Sequence, residues 1–211
     1  MIEYPQAYAL HRATKLESVQ EVQRYRDGGG SNENARLGIP DEVFLRRGSI
    51  RDFSPEPISR DDLTSMLAGA MGAIPLNVPP SNEFRLISNA VDGLDPGAYR
   101  FRVPDRFELL RAGNFRRAAG YLVLEQPLGT LAAAVMFAMA DLDAVLDRHG
   151  NRGYRAAQLE AGIRIGRVYL GAFARGLGAT ASTFYDDEVT AFLAPKEELS
   201  PMLCAAVGRR R

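Results

Sequence analysis

Cysteine and histidine are nearly absent from this 211-residue sequence, which contains Cys204, His11 and His149 and no tryptophan. A single cysteine cannot form a disulfide within the chain, so we expect a reducing environment and a cytoplasmic location. Structural zinc sites use four ligands that are mostly cysteine and histidine. The three residues available therefore predict a protein without a metal centre.

Long hydrophobic runs are also missing, and neither sign of charge is in excess. The longest apolar run covers residues 131–140, which is too short for a membrane-spanning helix of ~20 residues. The first residues include Glu3 and Pro5 rather than the basic and apolar regions of a secretory signal. With 26 basic and 26 acidic residues the formal net charge is zero, which excludes bulk attraction to nucleic acid. We therefore expect neither a membrane nor a nucleic acid as a partner.

What is present is the composition of an ordinary globular protein, 46% hydrophobic and 25% charged. The length favours one large domain over two small ones. A glycine-rich segment at 27–32 predicts a flexible break, so we expect an N-terminal arm at 1–30 and the main domain at 31–211.

Arginine supplies 24 of the 26 basic residues. It suits bidentate contacts with phosphate or carboxylate, although a bias in genome composition would give the same count.

Patterns along the main domain predict helices mixed with strands. Ser59 has the character of a helix N-cap, and apolar residues at helical spacing follow it as far as Gly72. Helical spacing also indicates a long helix at 154–175, a short one at 186–193 and a helix over 131–148. Strands are predicted at 84–87, 98–103, 179–184 and 203–207. This order favours an α+β sheet with helices packed around it over a regular βαβ repeat.

Arg47, Ser49 and Arg51 alternate along a segment that is predicted to be extended. Alternate residues of an extended chain point to the same face, so two guanidinium groups and a hydroxyl can surround a phosphate there. A solvent-exposed edge strand would show the same pattern, and spacing alone favours that plainer interpretation. Arg209 directly follows the last predicted strand and is a further candidate, although charged C-terminal residues are commonly frayed.

The predicted long helix carries small residues in its interior, among them Ala161, Gly162 and Gly166. Interior glycine is unfavourable in a helix and is expected where another backbone approaches closely. Packing within the chain and packing at the centre of a subunit interface explain this pattern equally well. Glu160 lies among small and apolar residues, so a buried carboxylate at this position needs a partner such as an arginine.

Motifs of several enzyme classes are missing from the sequence. It contains no Gly-x-Ser-x-Gly, no Walker loop and no Gly-x-Gly-x-x-Gly after a predicted strand. These absences disfavour a serine hydrolase and a Rossmann dehydrogenase.

The acidic cluster at 186–188 could bind a metal, but helix capping explains it more simply. His149 could titrate near neutral pH, although a lone histidine at a helix end is more often structural.

Short motifs occur in a fixed order along nearly the whole chain. They are Arg47-Gly48-Ser49-Ile50-Arg51-Asp52-Phe53, Pro80-Ser81, Val91-Asp92-Gly93-Leu94-Asp95-Pro96-Gly97-Ala98-Tyr99, Arg152-Gly153-Tyr154-Arg155, Leu159-Glu160-Ala161-Gly162, Tyr169-Leu170, Gly176-Leu177-Gly178-Ala179, Phe184-Tyr185-Asp186-Asp187 and Val207-Gly208-Arg209. His11-x-x-Thr14-Lys15 precedes them. The series resembles the nitroreductase family and, within it, the SagB-type dehydrogenases. No single motif is specific, but the collinear series is.

The resemblance implies a nitroreductase-like α+β fold, with the long helix at the interface of a homodimer and FMN bound where the subunits meet. It makes Arg47, Ser49 and Arg51 ligands of the flavin phosphate, and Arg209 a fourth candidate. It also implies cofactor contacts from the Pro-Ser loop and from the strand that passes the flavin ring, namely Ser81, Asn82, Ala181, Ser182 and Thr183. Two electrons would pass through the flavin, with NADH or NADPH as candidate donors and a small-molecule or peptide-derived substrate.

Two positions depart from the pattern of the family. Azoline-oxidising members carry a Lys-Tyr pair just before Gly-x-Arg-Gly-Tyr-Arg, where this sequence has Arg148-His149. Arginine effectively cannot act as a base, whereas histidine can. The catalytic candidates are the two residues at the positions of the pair, His149 and Arg148, together with Tyr154 of the following motif. The loop after Pro80-Ser81 is also several residues shorter than in the family, with Asn82-Glu83 in place of a stretch that cradles the ring.

These features support an FMN-dependent oxidoreductase that acts on a small molecule or a natural-product intermediate. The alternative is a non-catalytic flavin-binding or scaffold protein of the same fold that acts in a modifying complex. The missing Lys-Tyr pair and the short loop favour that alternative. A dimeric interaction module without a ligand is the least favoured interpretation.

Overall fold

The structure is a computed structural model that describes residues 5–21, 39, 41–74, 76 and 78–211. The predicted flexible break at 27–32 and the predicted boundary at residue 30 lie outside these residues. Among the residues that are described, no helix has both the length and the apolar character needed to cross a membrane.

Helices and strands alternate irregularly along the described part of the chain. The helices are α1 (Pro5–Thr14), α2 (Asp41–Arg46), α3 (Arg60–Met71), α4 (Arg116–Leu122), α5 (Pro127–Leu131), α6 (Leu142–His149), α7 (Asn151–Ala174) and α8 (Asp186–Leu193). The strands are β1 (Ile58–Ser59), β2 (Asn82–Ser88), β3 (Val91–Asp92), β4 (Gly97–Arg102), β5 (Arg106–Ala112), β6 (Ala134–Ala140), β7 (Gly178–Ser182) and β8 (Ser200–Gly208).

Six strands form one sheet in the order β5-β4-β2-β6-β8-β7, and every neighbouring pair in it is antiparallel. Strands β1 and β3 form a separate parallel pair. The register of the central strands places Met136 of β6 between Leu86 of β2 and Ala205 of β8. The prediction of an α+β fold with helices packed around a sheet is therefore confirmed.

Apolar side chains pack on both faces of the sheet. Alternate residues of β6 enter two different clusters, with Met136 in one and Phe137 in the other. Helices α3 and α7 cover the first face, where Leu67 and Val168 are fully buried. Helices α4, α5 and α8 cover the second face, where Val189 is fully buried. The sheet is thus the middle layer of the protein.

The prediction of one helix over 131–148 is wrong. Residues Ala134–Ala140 form β6, and α6 begins only at Leu142. An unbroken apolar run lacks the alternation that distinguishes a strand from a buried helix. All seven residues of β6 are buried, and a strand covered on both faces is apolar at every position. Burial in the middle of the sheet therefore decides the conformation of this stretch.

Local signals located several helix ends correctly. The Ser59 hydroxyl accepts a hydrogen bond from the Asp62 N–H at 3.0 Å, which makes it the N-cap of α3, and Gly72 is the C-cap. The long helix α7 covers nearly the predicted residues and begins three positions earlier.

Strand β5 has no counterpart among the predicted strands, because it lies at the sheet edge with most of its side chains exposed.

Two arginines fasten α1 to the first turns of α7. Arg152 donates from Nη1 to the Thr14 carbonyl at 2.8 Å. Arg155 donates to the Thr14 hydroxyl and, at 3.3 Å, to the His11 carbonyl. The residues of the N-terminal motif therefore hold α1 against the helix that follows Arg148 and His149.

Candidate functional site

The segment at 47–53 runs beside the edge strand β7. The Ile50 N–H donates to the Ala179 carbonyl at 3.0 Å, and Phe53 is fully buried. Gly178 permits this approach, because a Cβ at that position would lie 2.8 Å from the Ile50 Cβ. The phosphate-ligand candidates of the segment all stay exposed, namely Arg47, Ser49 and Arg51.

A cleft of about 710 Å³ opens between this segment, α7 and β7. Arg47, Ser49 and Ala181 line it, so folding brings Ala181 next to two candidates that lie more than 130 positions earlier in the sequence. On the α7 side, nothing lies within 4 Å of a Cβ added at Gly162 or Gly166. Small-molecule sites have volumes of roughly 300–1,000 Å³. The cleft is therefore large enough for a cofactor.

Tyr169 of α7 joins two walls of the cleft. Its hydroxyl accepts a hydrogen bond from the Ala181 N–H and lies 3.4 Å from the Ser49 hydroxyl oxygen. Because the tyrosine accepts from the amide, its own proton is available to Ser49. The sequence patterns did not assign Tyr169 this role, since only folding brings residues 49, 169 and 181 together.

Replacing Tyr169 by phenylalanine is expected to lower the free energy of unfolding by about 1 kcal/mol, because the Ala181 N–H loses its acceptor. Equilibrium unfolding in urea measures this difference. Tyr8→Phe is the matched control, since the Tyr8 side chain on α1 is 61% exposed, and it should change stability by less than about 0.5 kcal/mol. Equal losses in the two variants would contradict the role given to Tyr169.

Other candidates for cofactor binding do not line the cleft. Arg209 donates from Nε to the Pro57 carbonyl at 2.9 Å and forms an ion pair with Glu56 at 3.7 Å. Its guanidinium therefore contacts the loop before β1, and Arg209 does not line the cleft together with Arg47. Three further candidates also lie outside the lining of the cleft, namely Arg51, Ser182 and Thr183.

A second cavity, of about 180 Å³, lies between α6, the start of α7 and the loop before β2. Ser81, Arg148 and His149 line it, so two catalytic candidates and one cofactor candidate meet there. Tyr154 is outside this lining, and its hydroxyl accepts a hydrogen bond from Gln158 Nε2 at 3.2 Å. The structure therefore places candidates in two separate cavities.

Glu160 of α7, which is 1% exposed, anchors the loop before β2. Its carboxylate accepts from the Ser81 N–H at 2.6 Å, from the Ser81 hydroxyl at 3.0 Å and from the Asn82 N–H at 3.0 Å. Arg164 Nε donates to it at 2.7 Å, and this is the arginine partner that the sequence predicts. Because Glu160 binds these donors, Ser81 and Asn82 hold the loop in place instead of offering the same groups to a cofactor.

Cys204 lies in the middle of β8 and is fully buried. Burial raises the pKa of its thiol to about 12, and the thiol donates a hydrogen bond to the Ser182 carbonyl at 3.0 Å. A nucleophilic cysteine must be a thiolate near neutral pH. The cysteine is therefore a structural residue and not a nucleophile.

The antiparallel sheet and the cleft between its edge and a long helix define an α+β protein with a cleft of the size that small molecules occupy. The chain belongs to the nitroreductase family, whose sequence profile matches residues 45–209. A provisionally named nitroreductase of Methanocaldococcus jannaschii is 26% identical over 187 residues, which cover 81% of this chain and 90% of that protein. Membership in this family indicates flavin-dependent oxidoreductase activity.

Solved structures show the same fold. A provisionally named nitroreductase of Anabaena variabilis superposes with a TM-score of 0.73 at 28% identity, and the match covers 81% of this chain but 38% of that one. The microcin synthetase complex McbBCD of Escherichia coli gives a TM-score of 0.63 at 14% identity, with 96% and 86% covered. An NADPH:FMN oxidoreductase of Vibrio harveyi gives 0.60 at 14%, with 80% and 67% covered.

Proposed function

We propose that this protein is an FMN-dependent oxidoreductase of the SagB type, which transfers two electrons between the flavin and a small molecule or natural-product intermediate. The observation that carries this proposal is the cleft lined by Arg47, Ser49 and Ala181 in a chain of the nitroreductase family. The fold that it shares with an NADPH:FMN oxidoreductase agrees with FMN as the cofactor. We place the protein in the cytoplasm, as its single cysteine predicts.

Donors of the segment at 47–53 fit a phosphate group. In the part of the chain that the structure describes, neither Arg47 nor Arg51 has a carboxylate partner. Both guanidinium groups are exposed and can turn towards a ligand. Ile163 and Leu203 also line the cleft, so an aromatic ring would find apolar contacts in the same place. The residues present therefore fit a molecule that joins a phosphate to a flat ring system.

FMN, when bound, supplies the redox chemistry by taking up and releasing two electrons, with NADH or NADPH as the proposed donor. Arg47, Ser49 and Arg51 would hold its phosphate through charge-assisted hydrogen bonds. The backbone at Ser182 and Thr183 remains the proposed contact for the ring. Arg209 is the weakest of the candidate ligands, because it must leave Glu56 to reach a phosphate in this cleft.

One face of α7 fits the interface of a homodimer. Leu159 is 57% exposed there, and the open space at Gly162 and Gly166 lets another chain come close. We place the partner subunit on this face, where it would close the cleft. A two-fold interface presents the same patch on both subunits, so the dimer would contain two equivalent sites.

A second candidate function is a non-catalytic flavin-binding or scaffold protein in a modifying complex. Arg148 favours it, because an arginine stays charged and cannot take up a proton as a base. The fold likeness to the microcin synthetase complex agrees with a role beside other proteins. Under this alternative the cleft holds the same flavin. The two candidate functions differ in whether the bound flavin is reduced and reoxidised in a catalytic cycle.

An absorbance spectrum of the purified protein, with mass spectrometry of the molecule released on denaturation, tests the proposal. We expect a yellow protein that releases FMN. Adding NADH or NADPH should then bleach the flavin, and a quinone or nitroaromatic acceptor should restore its colour. Flavin that stays oxidised with both donors favours the scaffold, whereas a colourless protein that takes up no added FMN contradicts both candidates.

A further inference from the structure

The second cavity is walled mainly by short apolar side chains. Pro79 and Pro80 come from the loop before β2, Val145 from α6 and Ala157 from α7. Helices α6 and α7 can lie close together here because Gly153 has no side chain. A Cβ added to Gly153 would lie 2.8 Å from Val145 Cγ1. The wall therefore suits the apolar part of a small ligand.

The volume of this cavity sets the size of that apolar part. At about 180 Å³, it is slightly larger than an engineered apolar cavity of ~150 Å³ that binds benzene. One six-membered ring or one branched aliphatic group would fill it. A ligand with several fused rings would not fit.

Arg148 and His149 both line this apolar space, and His149 already interacts with another group. Arg148 lines the cavity from the last turn of α6, and among the described residues it has no carboxylate partner. The Ser81 hydroxyl, which lines the same cavity, already donates to Glu160 at 3.0 Å. The guanidinium of Arg148 is thus the group with unused donors for an acidic ligand.

The opposite end of α6 carries a negative charge. Asp141 also lines the cavity, and one of its oxygens caps α6 by accepting from the Ala144 N–H at 2.9 Å. Asp141 and Arg148 are seven positions apart, which is about 10 Å along a helix axis. A ligand with one negative charge can bind the arginine and keep away from the aspartate, whereas a phosphate dianion would be repelled more strongly by Asp141.

We propose that the second cavity binds a small carboxylic acid with an aromatic or branched aliphatic body. Its carboxylate pairs with Arg148 in the forked geometry that a guanidinium favours, and its body fills the apolar space between α6 and α7. This inference goes beyond the proposed oxidoreductase function, because binding to this cavity requires neither flavin nor turnover.

Titration of the purified protein with benzoate, followed by isothermal calorimetry and ligand-observed NMR, tests the proposal. We expect benzoate to bind at least tenfold more tightly than benzylamine or benzyl alcohol, which share its ring but not its charge. Arg148→Gln should weaken benzoate binding at least tenfold. Arg117→Gln, at an exposed arginine of α4 outside this lining, should leave it unchanged.

Ala144→Leu provides an independent test, because the added carbons occupy the cavity without removing Arg148. This variant should lose benzoate binding while it retains the circular dichroism spectrum and flavin content of the unaltered protein. Equal affinity for benzylamine, competition by inorganic phosphate as strong as that by benzoate, or unchanged binding in Arg148→Gln would overturn the proposal. Flavin content, measured on the same samples, reports separately on the proposed oxidoreductase function.

Discussion

Replacing Arg47 and Arg51 together by alanine is expected to remove FMN from the purified protein and to weaken FMN binding about 100-fold or more. Hydrogen bonds to a charged group contribute about 1.5–3 kcal/mol each, and about 1.4 kcal/mol corresponds to a tenfold change in affinity. Both side chains are exposed, so the free energy of unfolding should change by less than about 0.5 kcal/mol. The ratio of flavin to protein in the purified sample, measured by absorbance, and titration of the protein with FMN measure the effect.

A control variant with Arg12 and Arg117 replaced by alanine separates this effect from a general loss of positive charge. Both residues are exposed arginines of α1 and α4 rather than of the segment at 47–53, and their replacement should leave flavin content unchanged. Unaltered flavin content in the Arg47 and Arg51 double variant would refute the phosphate site. The flavin itself would then have to be held elsewhere in the protein.

Glu160→Gln is expected to destabilise the protein by about 3–5 kcal/mol, the usual cost of removing one partner from a buried ion pair. The amide is nearly the same size as the carboxylate, but it offers one acceptor oxygen where the structure presents several donors from Ser81, Asn82 and Arg164. Urea unfolding measures the loss, and the melting temperature should fall by about 10 °C.

Glu56→Gln is the matched control, because Glu56 also pairs with an arginine but its side chain is 72% exposed. Exposed ion pairs contribute at most about 1 kcal/mol, so this variant should unfold at nearly the same urea concentration as the unaltered protein. A loss of under 1 kcal/mol in Glu160→Gln would mean that water or a rearranged loop satisfies the buried donors. The anchoring role of Glu160 would then be wrong.

Several parts of the fold could be predicted because their signals are local. The N-cap at Ser59, the C-cap at Gly72 and the extent of α7 follow from residues within a few positions of one another. The need of Glu160 for a partner such as an arginine also followed from the sequence, because the cost of an unpaired buried charge is general. Its partner Arg164 lies one helical turn away on the same helix.

The central strand could not be predicted in the same way. An unbroken apolar run fits a buried helix and a buried strand equally well, and β6 is a strand because β2 and β8 bind it on either side. The two cavities were also beyond reach of the sequence. Whether Arg148 and Arg47 share one site depends on how α6 and α7 pack, which no local pattern contains.

The sequence by itself determined the composition of a globular protein, several helix ends, the small residues of α7 and an ordered series of motifs that is specific to one family. Only the tertiary structure decided that Tyr169 joins Ser49 to Ala181, that Glu160 holds Ser81, and that the candidate residues lie in two cavities. The physical reason is the range of the interactions. Caps and helical spacing act over a few residues, whereas the contacts of Tyr169 with Ser49 and of Glu160 with Ser81 join residues about 80 to 120 positions apart, which only the packed core brings together.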